Sequence, residues 1–186
     1  TSEGGKDIVP WTWCQDTGDD RGLTKWHQKQ WNEPRPLYLP TGSLGDPAST
    51  VVVVEGEKCA LAGSNALADH TFVSWPGGGK AWDKAGWQML AGRTVILWPD
   101  CDVKHEKLTK AERDEGVDPA SKPLLPEARQ PGIMTMRALG AHLVSLGCKV
   151  LICPLPEPGN VADGWDIADA IDQGWTPEQL NAFLVA

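Results

Sequence analysis

"VVVVEGEK" (51–58) and "TVILWPDCD" (94–102) follow one plan: a short apolar run, rich in β-branched residues, that ends abruptly in acids. The first run is continuously apolar, as expected of a strand covered on both faces. "EKCALAGSNALAD" (57–69) follows with good helix formers. "TFVSW" (71–75) then reads as a second strand, with "PGGGK" (76–80) as its glycine loop, and "AWDKAGWQML" (81–90) as a second helix. Beyond the third strand, "GIMTMRALGAHLVSLG" (132–147) carries apolar residues at 133, 136, 139, 143 and 146. Those steps of three and four define one helix face, and Gly147 is a natural stop. "KVLICPLP" (149–156) reads as the fourth strand. "WDIADAIDQGW" and "TPEQLNAFLVA" read as closing helices, the second with Thr176 as N-cap and Pro177 in the first helical position. Strand and helix alternate from 51 to 152. That rhythm predicts an α/β layer fold with a mostly parallel four-stranded sheet flanked by helices. Ligands of such sheets sit beyond the C-terminal strand ends.

Two regions depart from this rhythm. Residues 1–45 are turn-rich: "WTWCQ" and "TKWHQKQW" flank "DTGDDRG", which reads as a hairpin turn. They form a small β-rich segment and linker ahead of a main domain at 46–186. Residues 103–130 are charged and proline-punctuated, with no sustained period. They read as a surface insertion holding one short helix at 109–115.

The chain of 186 residues is long enough for one domain with a real core. It begins without Met and with no basic start leading into an apolar run, so a fragment or processed product is expected and a secretory signal is not. No stretch approaches the ~20 apolar residues of a membrane span. The five cysteines contain no C-x-x-C pair. They read as reduced, mostly buried thiols of a cytoplasmic protein. Net charge is −8 and the pI about 4.9, which argues against a general nucleic-acid coat. It leaves nucleic-acid chemistry open, because bound divalent metal turns an acidic cluster into a phosphate site. Ten tryptophans stand against two Phe and one Tyr. For the four in the first forty residues, packing of a small β unit is the plain reading. Base stacking on one or two exposed rings is the sharper one.

The acids carry the chemistry. Asp100 and Asp102 are two apart in extended chain and point the same way. If their strand neighbours "VVVV", Glu55 joins them at one rim. Three carboxylates there repel unless a cation neutralises them, and hard oxygen ligands suit Mg²⁺ or Mn²⁺. Gly56 would let a substrate approach the backbone. Glu57 reads as a first-turn helix charge. In the tail, Asp163 and Asp166 are candidate outer-sphere metal ligands, with a helix cap and surface as the alternative. Lys58, Lys80 and Lys104 are candidate phosphate contacts, each weighed against a solvated lysine. "PGGGK" lacks the G-x-x-x-x-G-K-[ST] spacing, so an ATPase P-loop is rejected. Arg21, Lys25, His27, Lys29 and Arg35 interleave with Trp26 and Trp31, a pattern that fits single-stranded template binding.

Taken together, the apolar strand–"EGEK" motif and the later "VILWPDCD" resemble the Toprim domain. That domain is shared by DNA primases, topoisomerases, OLD-like nucleases and RecR-like proteins. The stretch "SWPGGGKAWDKAGWQMLAGRTVILWPDCD" and the tail "DGWDIADAI" look most like primase–helicases of phages and mobile elements. The resemblance covers about residues 51–175. It implies a Rossmann-like fold, Mg²⁺ (or Mn²⁺) held by Asp100 and Asp102, and Glu55 as general acid/base or further ligand. It also implies a primase making short RNA primers from NTPs on single-stranded DNA, with a helicase as partner. The alternatives are a metal-dependent nuclease and a non-catalytic nucleic-acid-binding module. A topoisomerase is disfavoured, since Tyr38 is the only tyrosine. The chain departs from the common D-x-D-x-A-G pattern at Val103, where the insertion begins.

Overall fold

The structure is a computed structural model that describes residues 10–15 and 23–185. The turn expected at 16–22, and with it Arg21, lies outside the described residues. Two short strands, β1 (Thr12–Gln15) and β2 (Thr24–His27), pair antiparallel with Thr12 opposite His27 and Trp13 opposite Trp26. A four-stranded, all-parallel sheet forms the centre. It comprises β3 (Val51–Val53), β4 (Thr71–Val73), β5 (Thr94–Leu97) and β6 (Lys149–Ile152), in the order β4-β3-β5-β6.

Side chains of β3 alternate between two cores, which is why its sequence is apolar throughout. Val51 and Val53 join Val95, Leu97, Trp75 and Trp87 on one face. That face is covered by α3 (Pro131–Ser145) through Met136, Leu139 and Leu143. Val52 and Val54 join Ile96 and Trp98 on the other. There α1 (Glu57–Ala66), α4 (Ile167–Asp172) and α5 (Pro177–Leu184) close the layer through Ala60, Ile167 and Leu180. At ~1.5–3 kcal/mol per fully buried large apolar side chain, these two layers supply the bulk of the stabilisation. Close approach sets part of the packing. A Cβ on Gly63 of α1 would lie 2.4 Å from the Phe72 ring, so glycine brings α1 onto β4.

The segment 81–90 is not the α-helix its composition predicts. It forms two 3₁₀ turns, Gly79–Lys84 and Trp87–Leu90, broken at Ala85–Gly86. The tryptophans explain the break. Buried Trp87 donates its indole N–H to the Trp82 carbonyl (2.7 Å), taking a backbone acceptor from a continuous helix. The strands also end sooner than the apolar runs do: β4 stops at Val73 and β6 at Ile152.

The insertion carries α2 (Lys110–Asp114), which has a complete capping box from Thr109 and Glu112. Its two ends meet in a neck. Leu125 N–H donates to the Lys104 carbonyl, and His105 bridges Leu124. Buried Gln130 accepts from Lys104 N–H (2.9 Å) and donates to the Leu125 carbonyl (2.8 Å). No helix among the described residues is long and apolar enough to cross a membrane.

Candidate metal centre and adjoining cleft

Parallel pairing of β3 with β5 places Val53 beside Leu97. The ladder continues past the strands, where Trp98 N–H donates to the Val53 carbonyl (2.9 Å). Glu55 and Asp100 therefore leave neighbouring strands at the same, C-terminal edge. The condition set by the sequence, that the two acid-bearing strands be neighbours, is met.

Three features fix this rim. Cys101 forms an antiparallel bridge with Trp165: its N–H donates to the Trp165 carbonyl (2.8 Å), and Gly164 N–H donates to the Cys101 carbonyl (2.9 Å). The tail acids on either side of Trp165 are thereby drawn toward the D-x-D segment. The N-terminus of α3 abuts the rim from the other face. Gln130, at its N-cap position, makes no side-chain cap; Asp102 does so instead, accepting from Gly132 N–H (2.6 Å). A Cβ on Gly132 would stand 2.4 Å from the Asp100 carbonyl oxygen and 3.1 Å from Glu55 Oε1. Gly79 closes the third side, where a Cβ would fall 2.8 Å from Glu55 Oε2. Two glycines thus let backbone press against one carboxylate. Gly132 was not found by sequence reasoning; its signal was the Pro-Gly opening of a helical period beside no local cap.

The electrostatics follow from that crowding. Burial lifts the Asp100 carboxyl to about 8, helped by Glu55, Asp166 and Asp102. Burial lifts Glu55 to about 7; the Asp100 backbone N–H opposes this and the Asp102 charge adds to it. The two titrate as a pair that shares its last proton near neutrality. Glu55 Oε1 is buried with no hydrogen-bond partner.

The other acids have partners of their own. Asp102 Oδ1 lies 3.7 Å from Lys104 Nζ. Asp163 accepts from Lys104 Nζ and from Val103 N–H (2.7 Å). Asp166 caps α4 through the N–H groups of Ala168 and Asp169, and accepts from the Cys59 thiol (2.8 Å). Burial and that contact push the Cys59 pKa up. Among the described residues no three His, Cys, Asp or Glu side chains form a ready-made metal cage. Glu55 and Asp100 nevertheless fit a Mg²⁺-type ion. They are two hard oxygen donors, mutually repelling, one with an orphaned buried oxygen. Such an ion commonly takes one or two carboxylates and leaves the rest to water and phosphate. Asp102 lies beside them, committed on one oxygen to α3.

The candidate basic contacts are dispersed. Lys58 is exposed on α1 and Lys80 on the first 3₁₀ turn. Lys104 is engaged by Asp163 and Asp102, so it neutralises acids at the rim. Lys25 and Trp26 lie on β2, where Trp26 meets Trp13 edge-on at 5.4 Å between centroids. Arg35 is buried, and its Nη1 lies 2.8 Å from where a Gly77 Cβ would be; its Nε has no partner.

The plain packing reading of the N-terminal tryptophans holds in part: Trp13 and Trp26 pair across β1 and β2, while all four rings stay substantially exposed. Trp11, Trp13, Trp26 and Trp31 remain 42–59 % exposed, while Trp75, Trp87, Trp98 and Trp165 fill the cores. Trp11 and Trp31 flank the open end of the β1–β2 hairpin. With Gln30 they form one wall of a cleft of about 610 Å³, whose other wall holds Glu55, Gly56 and the loop through Gly77 and Gly78. Gly77 and Gly78 have φ of 101° and 72°, which suits glycine, and the Trp75 indole N–H ties the loop down at the Gly78 carbonyl (2.9 Å).

No family model, no curated protein and no solved structure matches this chain. Its functional reading therefore rests on its own residues and motifs.

Proposed function

We propose that this chain is the catalytic Toprim-type portion of a DNA primase or primase–helicase, making short RNA primers on single-stranded DNA. The observation that carries the reading is the convergence of Glu55 with Asp100 at the C-terminal edge of adjacent parallel strands, with Asp102 beside them. That is the arrangement the ordered "EGEK" and "DCD" motifs require.

Glu55 and Asp100 are the residues that would hold Mg²⁺ or Mn²⁺. Once bound, such an ion lowers the pKa of a primer 3′-hydroxyl and neutralises charge on the attacking and leaving oxygens. The chain's own residues supply the rest. Glu55 keeps one oxygen unpartnered at the rim, which leaves that oxygen able to accept a proton from a hydroxyl. Asp102 docks α3 at the rim and brings the positive end of a 15-residue helix toward the acids, which eases their mutual repulsion. Lys104 ion-pairs with Asp163 and offsets the charge of Asp102. A cytoplasmic setting and a helicase partner belong to the same proposal.

The deciding experiment offers the chain single-stranded DNA, NTPs and Mg²⁺ or Mn²⁺, and follows labelled primers. Glu55→Gln and Asp100→Asn should each lower synthesis by roughly 10²-fold or more. Cleavage of the strand without NTP incorporation would replace the primase with the nuclease. Neither activity, together with no Mg²⁺- or Mn²⁺-dependent change in the melting of the parent, would leave a binding module.

A further inference from the structure

The cleft beside Glu55 has a composition that the acid cluster does not explain. Its hairpin wall offers two large aromatic faces, Trp11 and Trp31, exposed to 57 % and 42 %. Its opposite wall is bare backbone at Gly77 and Gly78; a Cβ at Gly78 would meet nothing within 4 Å. Gln30 contributes an amide that both donates and accepts. No lysine or arginine is among its lining residues, which include Glu55 and Glu57. A phosphate placed there would face two carboxylates. A flat, uncharged ring with polar edges meets none of that repulsion.

We infer that this cleft seats a single unstacked nucleobase against Trp11 and Trp31, its phosphates lying outside the cleft, clear of Glu55 and Glu57. The volume falls within the range of small-ligand sites and exceeds what one base needs. Base–indole stacking is tolerant of sequence, and Gln30 adds an edge contact. The hairpin is thereby a working part of the site. Of the two rings in the basic–aromatic pattern, Trp31 lines the cleft, whereas Trp26 packs on Trp13 and does not. The inference rests on the primase reading only for the kind of molecule that supplies the base. The base can come from a template strand or from an NTP.

The test uses the whole chain in EDTA, with two probes: a fluorescein-labelled oligothymidylate followed by anisotropy, and UTP followed by quenching of intrinsic tryptophan fluorescence. Trp11→Ala and Trp31→Ala should each weaken at least one probe by about tenfold. Trp11→Phe and Trp31→Phe should restore most of the affinity, which a folding defect would not do. Trp26→Ala should stay within about twofold of the parent. Losses confined to the oligonucleotide identify a strand base, and losses confined to UTP a nucleotide base. Unchanged binding of both probes in both alanine variants overturns the inference. So does an equal loss in Trp26→Ala, or no binding of either probe by the parent. Glu55→Gln separates the two proposals. Primer synthesis lost there, with binding indifferent to Trp11 and Trp31, sinks the cleft and spares the primase. Binding that depends on both tryptophans, with no synthesis by the parent, does the reverse.

Discussion

Replacing Asp100 with Asn should stabilise the metal-free protein at pH 8, although it removes a residue central to the site. Asp100 and Glu55 are raised to about 8 and about 7, chiefly by burial. In the unfolded chain both ionise near pH 4. Between those limits the folded state binds more protons than the unfolded state, so stability falls as pH rises. The contribution is complete below about pH 4 and is lost progressively up to about pH 8. Each tenfold gain in a carboxylate's proton affinity on folding is worth about 1.4 kcal/mol, and sharing one proton between the two groups reduces the sum. Asp100 alone spans about four such steps, an upper bound of about 6 kcal/mol; halved because the proton is shared, a cost on the order of 3 kcal/mol at pH 8 follows, and Asp100→Asn removes most of it. For a chain of this size each kcal/mol moves Tm by about 2–4 °C, so the variant should melt roughly 6–12 °C higher at pH 8 in EDTA. At pH 4 the two proteins should nearly coincide. Mg²⁺ at ten times its dissociation constant should return about 1.4 kcal/mol to the parent at pH 8 and nothing to the variant. Melting followed by tryptophan fluorescence at both pH values, with and without Mg²⁺, measures all four states. A variant less stable at pH 8, or one that gains as much from Mg²⁺ as the parent, would refute the reasoning.

Other substitutions probe the frame around the acids. Gly132→Ala drives a Cβ to 2.4 Å from the Asp100 carbonyl and should cost about 1–3 kcal/mol in urea denaturation, with primer synthesis falling further than stability. Asp166→Ala removes the α4 cap and should cost about 0.5–2 kcal/mol. The loss should be smaller at pH 8 than at pH 5, because Asp166 also repels the Asp100 carboxylate. Gln130→Ala unties the neck of the insertion: hydrogen exchange at Lys104 and through 105–129 should accelerate while the sheet amides stay protected.

The centre of the sheet was legible because β3 and β5 are buried on both faces, so "VVVV" and "VILW" are apolar without interruption. Their neighbourhood, and hence the meeting of Glu55 with Asp100, stayed a condition in the sequence, because β5 pairs with β3 and not with β4, the strand that precedes it in the chain. The segment 81–90 was misread because its composition is helical, while its shape is set by where Trp82 and Trp87 find partners. Such pairings have no local signature. The same holds for Asp102, which caps a helix beginning 29 residues later, and for Asp166, whose thiol partner lies 107 residues away. The N-terminal rings were legible only in part, for another reason. Aromatic content says how much surface awaits a partner, and does not say whether that partner belongs to the chain.

The insertion departs at Lys104, past the end of β5, and rejoins the fold at Gln130, the N-cap position of α3, with both ends clasped by one buried amide. A segment tethered in this way is thermodynamically cheap to resize, since loop-closure entropy grows only with the logarithm of length. The neck is thus a natural port in the fold. Segments of other lengths should be accommodated between 107 and 121, beyond the pairs that form the neck, without shifting the carboxylates just upstream.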